Sequence, residues 1–341
     1  MIHTKGSGTI AGRNDSELAA KAPEFVDTRG SANSGSVVRR AGETSARLAL
    51  RATTALSPRA AGALAYVLFR RPFGRSRVRP AERSAHLFAV TDTLDVGGRQ
   101  VVTYRWGDGA EPVLLLHGWQ SRASRFAPFV EELRARGLTP IGFDAPGNGD
   151  SGGIGPTVLD YAEIARQLQE RHGEFRAMLA HSFGVLGAFQ ALRSGVRADR
   201  VVAIGGVCDM EYLLHRFSAR LRLDARVVAL VRERADERLL APESDIWERF
   251  SASYGPERVR VPILVVHDED DPMATVDQGY RLAAAYSDRA RLFVTRGLGH
   301  HRVMSDPAVV AEVLRFLDED HGYRSRTRDG VAVFSSSTTC R

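Results

Sequence analysis

Cysteine and lysine are scarce in this 341-residue chain, with two of each: Cys208 and Cys340, Lys5 and Lys21. Two cysteines so far apart give neither a disulfide framework nor a zinc-ligand spacing, which fits a reducing compartment. No apolar run approaches the ~20 residues that span a bilayer. Residues 2–35 are polar and small rather than basic and then apolar, so no secretory leader is expected and the chain is assigned to the cytoplasm. Acidic residues are sparse at both ends. Net charge is +9 over residues 1–83 and +3 over 322–341, against +6 for the whole chain, so residues 84–321 carry −6. A mildly acidic middle argues against a nucleic-acid partner. The preference for arginine over lysine reads as coding bias.

Sustained periodicity is absent from residues 1–43, rich in Gly, Ser, Asn, Asp and Thr, and from the polar tail 322–341; both are expected to be disordered. Residues 44–83 differ. Leu48, Leu50, Leu56, Leu64, Val67, Leu68 and Phe69 alternate with Ala and Arg and are interrupted at Ser57-Pro58. Proline suits the first turn of a helix and serine its cap, so two short helices are expected, followed by a basic loop (Arg70, Arg71, Arg75, Arg77, Arg79). Such an arm suits three roles: packing on the core, an interface with another subunit, or a weak peripheral membrane contact. The oligomeric state is left open.

From residue 84 strands and helices alternate. A hairpin is expected from 86–90 and 100–106 around Asp95-Val96-Gly97-Gly98. Apolar strands follow at 112–117, 138–143, 176–180, 200–204, 261–267 and 290–295. Helices are expected at 126–136, 158–171, 185–192, 278–286 and 307–317. Repeated strand–helix–strand units give an α/β fold with a mostly parallel sheet covered by helices on both faces. The chain thus divides into a core at 84–208 and 257–321, interrupted by a helical insertion at 209–256 that is expected to form a lid. Tyr212, Leu213, Leu214, Phe217, Trp247 and Phe250 in that insertion suit either an apolar pocket wall or packing of the lid on the core.

The chemistry centres on Ala180-His181-Ser182-Phe183-Gly184, which follows an apolar strand and opens an Ala- and Leu-rich helix. A serine on such a sharp turn has its hydroxyl lifted clear of the sheet, and small neighbours allow strand and helix to crowd together. Ala180 stands where this pattern usually has glycine, so a slightly more crowded turn is expected. A serine hydroxyl needs a base within hydrogen-bond reach and an acid to orient that base. Two later strands end at suitable residues, 268–271 (Asp-Glu-Asp-Asp) and His300-His301. Asp271, fixed by Pro272, is the expected acid, with Asp268 an end-of-strand cap. His300, delivered by Gly297-Leu298-Gly299, is the expected base, with His301 as the fallback. Two backbone N–H groups must face the developing oxyanion. They are expected from Phe183, at a helix start, and from Trp119, after the strand that ends His117-Gly118. Cys208 follows the wrong strand to be a rival nucleophile.

These motifs, with the loop Asp144-Ala145-Pro146-Gly147-Asn148-Gly149-Asp150-Ser151, resemble the α/β-hydrolase superfamily over residues 86 to 319. The likeness is to small bacterial serine hydrolases with an N-terminal helical arm and His-Gly-Trp-x-x-Arg after the first core strand. It implies an eight-stranded sheet with a lid, no metal or organic cofactor, and an acyl-enzyme mechanism on a small-molecule acyl substrate. Arg122 occupies the arginine position of that motif and is expected to face substrate, brace a loop or form a surface salt bridge; His181 is a second candidate for substrate binding. Ester hydrolysis is the favoured reading. Acyl transfer or thioester hydrolysis with the same triad, or a non-catalytic binding scaffold, are the alternatives.

Overall fold

The computed structural model describes residues 29–71, 74–238 and 245–319, with side chains from residue 42 onward. The disorder expected for residues 1–28 and the tail beyond 319 lies outside the described residues. The described residues fall into two units, divided between Thr44 and Ser45. Helix α1 (Arg29–Leu56) begins inside the segment expected to lack structure. No proline interrupts residues 29–56, and extending a helix that is already nucleated costs far less than starting one.

Within the larger unit, Ser57 caps α2 (Pro58–Arg70) as expected, its side chain accepting from the Ala60 N–H. The buried face of α2, Ala61, Gly62 and Ala65, consists of small residues. A Cβ on Gly62 would lie 2.5 Å from Leu230 Cβ, so the helix backbone sits directly against α8 (Ala225–Arg238). Arg47 further donates to the Arg220 carbonyl at 3.0 and 2.7 Å. The arm is thus packed within its own chain, against the helical insertion at 209–256.

Eight strands form one sheet: β1 (Val90–Asp95), β2 (Gln100–Arg105), β3 (Pro112–Leu116), β4 (Thr139–Phe143), β5 (Ala177–His181), β6 (Val201–Ile204), β7 (Ile263–Asp268) and β8 (Ala290–Thr295). Their spatial order is β1-β2-β4-β3-β5-β6-β7-β8. All neighbours from β4 onward are parallel; β1 pairs antiparallel with β2, and β2 with β4. Because side chains alternate along a strand, each central strand feeds two cores. Leu114, Leu116, Met178, Ala180, Val201, Ala203 and Val265 pack on one face. Val113, Leu115, Ala177, Leu179, Val202, Leu264 and Val266 pack on the other. This two-sided burial explains why the strands read as unbroken apolar runs.

The hairpin begins later than the sequence suggests, since residues 83–88 form helix α3 (Arg83–Phe88). Reciprocal Val96–Arg99 backbone bonds fix the turn, and β2 ends at Arg105; its partner strand must therefore end at Val90. With Ala85 buried and Leu87 and Phe88 exposed, the preceding residues follow helical rather than alternating burial.

Helices α4 (Ala127–Ala135), α5 (Val158–His172) and α6 (Phe183–Arg193) follow β3, β4 and β5. Between β6 and β7 the chain builds α7 (Met210–Leu221), α8 and the short α9 (Ile246–Arg249). α10 (Val276–Ala285), the single turn α11 (Gly299–Arg302) and α12 (Pro307–Asp318) complete the fold. α5, α6 and α10 cover one face of the sheet, and α4 and α12 the other. Crossovers of this kind bring the carboxyl ends of the parallel strands to one edge, where ligands of open α/β sheets bind.

Candidate active site

Ser182 follows β5 with φ 57° and ψ −121°, a backbone state that L-residues other than glycine rarely hold. Its N–H donates to the Ile204 carbonyl at 3.0 Å, and its own carbonyl accepts from Val185 N–H at 3.1 Å. The turn is therefore held from both sides, by the neighbouring strand and by the helix it opens. Ala180, where glycine is usual, is fully buried in the core beneath it.

Two later strands deliver partners to that hydroxyl. His300 Nε2 lies 3.0 Å from Ser182 Oγ, and His300 Nδ1 lies 2.7 Å from Asp271 Oδ2. A carboxylate only accepts, so Nδ1 carries the proton and Nε2 is left to accept from the serine O–H. Asp271 is itself fixed, its Oδ1 accepting from the Met273 and Ala274 N–H groups at 2.8 and 3.0 Å. Asp268 does different work. It accepts from Leu298 N–H, Gly299 N–H and Thr295 O–H at 3.0, 2.8 and 2.8 Å, tying the end of β7 to the loop that carries His300. Burial opposes its ionisation, but these donors hold its carboxyl below the usual range. His301 is exposed, with its ring against that of His300 at 5.2 Å, and His300 is the histidine that reaches Ser182.

The loop after β3 abuts the serine. A Cβ on Gly118 would stand 2.8 Å from Ser182 Cβ and 3.2 Å from the His181 carbonyl, so only glycine fits there. Among the described residues neither the Trp119 nor the Phe183 N–H has a hydrogen-bond acceptor. For Phe183 the reason is its place at the first position of α6, where amides lack helical partners. The two side chains touch edge to face at 5.7 Å. His117 is a clamp rather than a strand end alone. Its Nδ1–H donates to the Gly118 carbonyl at 2.7 Å, and its Nε2 accepts from Ala145 N–H at 2.9 Å.

Two candidates for substrate contact lie elsewhere. Arg122 is buried, its guanidinium 2.5 Å from Asp150 and 3.3 Å from Asp144. Asp144 in turn accepts from the N–H groups of Ala123 and Asp150, each at 2.8 Å, and from Tyr104 O–H at 2.9 Å. Arg122 therefore braces the Asp144 loop, because a buried carboxylate with this many donors recruits the nearest cation. His181 lies behind His300, its Nε2–H donating to the His300 carbonyl at 2.9 Å. Burial holds that imidazole well below its ordinary pKa, so it stays neutral.

A cavity of about 510 Å³ opens over Ser182. Tyr212, Leu213 and Phe217 of α7 form part of its wall, whereas Leu214, Trp247 and Phe250 are buried in packing. The opposite wall, Leu68, Phe69, Arg70 and Arg71, comes from the end of the N-terminal arm. Phe69 and Phe217 meet edge to face at 5.2 Å and join the two walls. α7 is latched to the acid loop: Tyr212 O–H donates to the Met273 carbonyl at 3.1 Å, and Arg216 donates to the Pro272 carbonyl at 2.5 Å. Neither the arm's share of the wall nor the latch is expected from the sequence; the paired aromatics at 69 and 217 are the available signal. Among the described residues no group of three His, Cys, Asp or Glu side chains could hold a metal ion. None of the helices described is long and apolar enough to cross a membrane.

Residues 113–313 match the model of the alpha/beta hydrolase family, and the chain belongs to that family. Solved structures share its architecture. An esterase from Pyrococcus furiosus superposes with a TM-score of 0.54 at 17% identity, covering 73% of this chain and 95% of its own. Alpha/beta hydrolase domain-containing protein 10 from mouse gives 0.51 at 18% identity, with 67% and 97% covered. A monoacylglycerol lipase from Paleococcus ferrophilus gives 0.50 at 19%, with 64% and 98% covered. At such identities the likeness establishes the fold. Among curated proteins, none matches the sequence.

Proposed function

We propose that the protein is a serine hydrolase that cleaves a carboxylic ester or a related acyl bond through an acyl-enzyme intermediate. The observation that carries this reading is the unbroken line from Asp271 through His300 to Ser182, at 2.7 and 3.0 Å, ending where Ser182 lines an apolar cavity.

Ser182 Oγ attacks the substrate carbonyl carbon while its proton passes to His300 Nε2. The imidazolium so formed is stabilised by Asp271, which keeps its own negative charge. The carbonyl oxygen becomes an oxyanion, held by the Trp119 and Phe183 N–H groups and the positive end of α6. As the tetrahedral species collapses, His300 returns the proton to the leaving oxygen and the alcohol departs. Water then repeats the sequence on the acyl-serine and releases the acid. α7 and the arm, as lid and wall, limit bulk water around the acyl group. The same groups support thioester cleavage or transfer to another acceptor, which substrate profiling separates.

The test is turnover of p-nitrophenyl esters of short and long acyl chains by wild type and Ser182→Ala. Loss of the nucleophile should lower kcat by about 10⁴-fold or more, since the remaining groups act only as a unit with it. Turnover by Ser182→Ala at the wild-type rate would exclude Ser182 as the nucleophile.

A further inference from the structure

The cavity over Ser182 combines an apolar interior with an unusual charge pattern. Four arginines line it: Arg70 and Arg71 at the end of α2, and Arg216 and Arg220 on α7. None of its described lining residues carries a carboxylate. Arg71, Arg216 and Arg220 are exposed, whereas Phe183, Val158 and Val207 are buried, so the arginines form the solvent-side rim and the serine lies towards the floor. The Phe69–Phe217 contact places the two arginine-bearing elements face to face.

Arg216 spends one N–H on the Pro272 carbonyl, and the Arg220 carbonyl accepts from Arg47. Arg70 and Arg71 differ from Arg75 and Arg79 of the basic stretch. Arg75 donates to the Gly149 and Ser151 carbonyls, and Arg79 pairs with Glu82 at 3.9 Å. By contrast, no hydrogen bond or ion pair joins the side chain of Arg70 or Arg71 to any described residue, and Arg70 Nε is buried without an acceptor. A basic residue in the last turn of α2 complements the helix dipole. That does not account for a buried guanidinium N–H left unsatisfied beside a second arginine, Arg71, unpaired among the described residues. The buried, unsatisfied N–H is costly unless an acceptor arrives, and two adjacent cations make an anion the fitting one.

We propose that the substrate is an amphiphilic acyl compound bearing an anionic group, phosphate or carboxylate. Arg70 and Arg71, assisted by Arg216 and Arg220, hold that anion at the rim. The apolar portion lies against Phe69, Phe217 and Leu213, and the acyl carbonyl reaches Ser182. Arginine suits this task because its planar fork matches both oxyanions in a bidentate manner. The inference rests on the hydrolase reading for the identity of the scissile bond, but the anion site stands on its own geometry.

Binding to the full-length Ser182→Ala protein separates the two. Calorimetry compares 1-octanoylglycerol with 1-octanoylglycerol 3-phosphate, and diethyl suberate with monoethyl suberate. At least one anionic member should bind about tenfold or more tightly than its neutral partner, and the pair that does so distinguishes phosphate from carboxylate. The preference should weaken as salt is raised, because the rim is open to solvent. It should fall to about onefold when Arg70→Gln and Arg71→Gln are added. Equal affinities within both pairs, absence of binding by all four compounds, or a preference that survives both substitutions would overturn the proposal. Anion preference without ester turnover by wild type would sustain this site and remove the hydrolase reading; turnover without anion preference would do the reverse.

Discussion

Asp268, the last residue of β7, and Asp271, three positions on, have surroundings that give them different roles. Asp271 faces the imidazole of His300, whereas Asp268 collects donors from the loop that carries it. Asp271→Asn should therefore lower kcat by roughly 10⁴-fold with little loss of stability, since an amide stabilises neither the required tautomer nor the imidazolium. Asp268→Asn should chiefly destabilise the fold, by about 2–4 kcal/mol, because an amide presents one acceptor where the carboxylate used two. Steady-state kinetics and urea midpoints on both variants check the assignment; a reversed pattern would make Asp268 the orienting acid. The sequence places the right residue types at this strand end because strand termini are legible from apolar runs. Choosing among four neighbouring acids depends on side-chain direction, which spacing does not encode. The same limit explains Arg122 and His181: both lie beside reactive positions in sequence, and both face inward on a brace.

At the scale of elements, the central parallel strands are readable because two-sided burial makes them apolar; β8, a half-buried edge strand, also occupies the residues expected of it. The start of the hairpin is not readable, because register is set by the turn and the partner strand rather than by local hydrophobicity. Nor did composition reveal which aromatic residues of the β6–β7 excursion face the cavity. Tyr212, Leu213 and Phe217 share one side of α7, and only contact with α2 makes that side a wall. The seating of α2 depends on Gly62. Gly62→Val should push α2 away from Leu230, costing about 1–3 kcal/mol and raising KM for long-chain esters more than for short ones. Equal KM changes for both chain lengths would show that the arm does not shape the pocket.

For the whole molecule, buried imidazoles couple stability to pH. His117, His181 and His267 are all buried, and burial depresses each pKa in the folded protein. An unfolded histidine takes up its proton near pH ~6.5. Below that value the unfolded chain binds more protons than the folded one, so stability falls as pH falls. The expected slope is about 1.4 kcal/mol per pH unit for each group still neutral in the folded state. Urea midpoints should drop steadily from about pH 7 to about pH 5; a flat profile would mean that these rings are not held neutral. The charge distribution fits the same frame. The central domain is mildly acidic, and the net positive charge of the chain belongs to its ends, where the arm brings Arg70 and Arg71 to the cavity.

Mapping a fluorophosphonate adduct by mass spectrometry tests the role of Ser182 most directly, because the reagent reports an activated serine whatever the natural substrate. One adduct is expected, on Ser182, formed at comparable rates in wild type and His301→Ala but slowed by orders of magnitude in His300→Ala. An adduct on another residue, or none on folded protein, or equal rates in the two histidine variants, would contradict the Ser182–His300–Asp271 assignment.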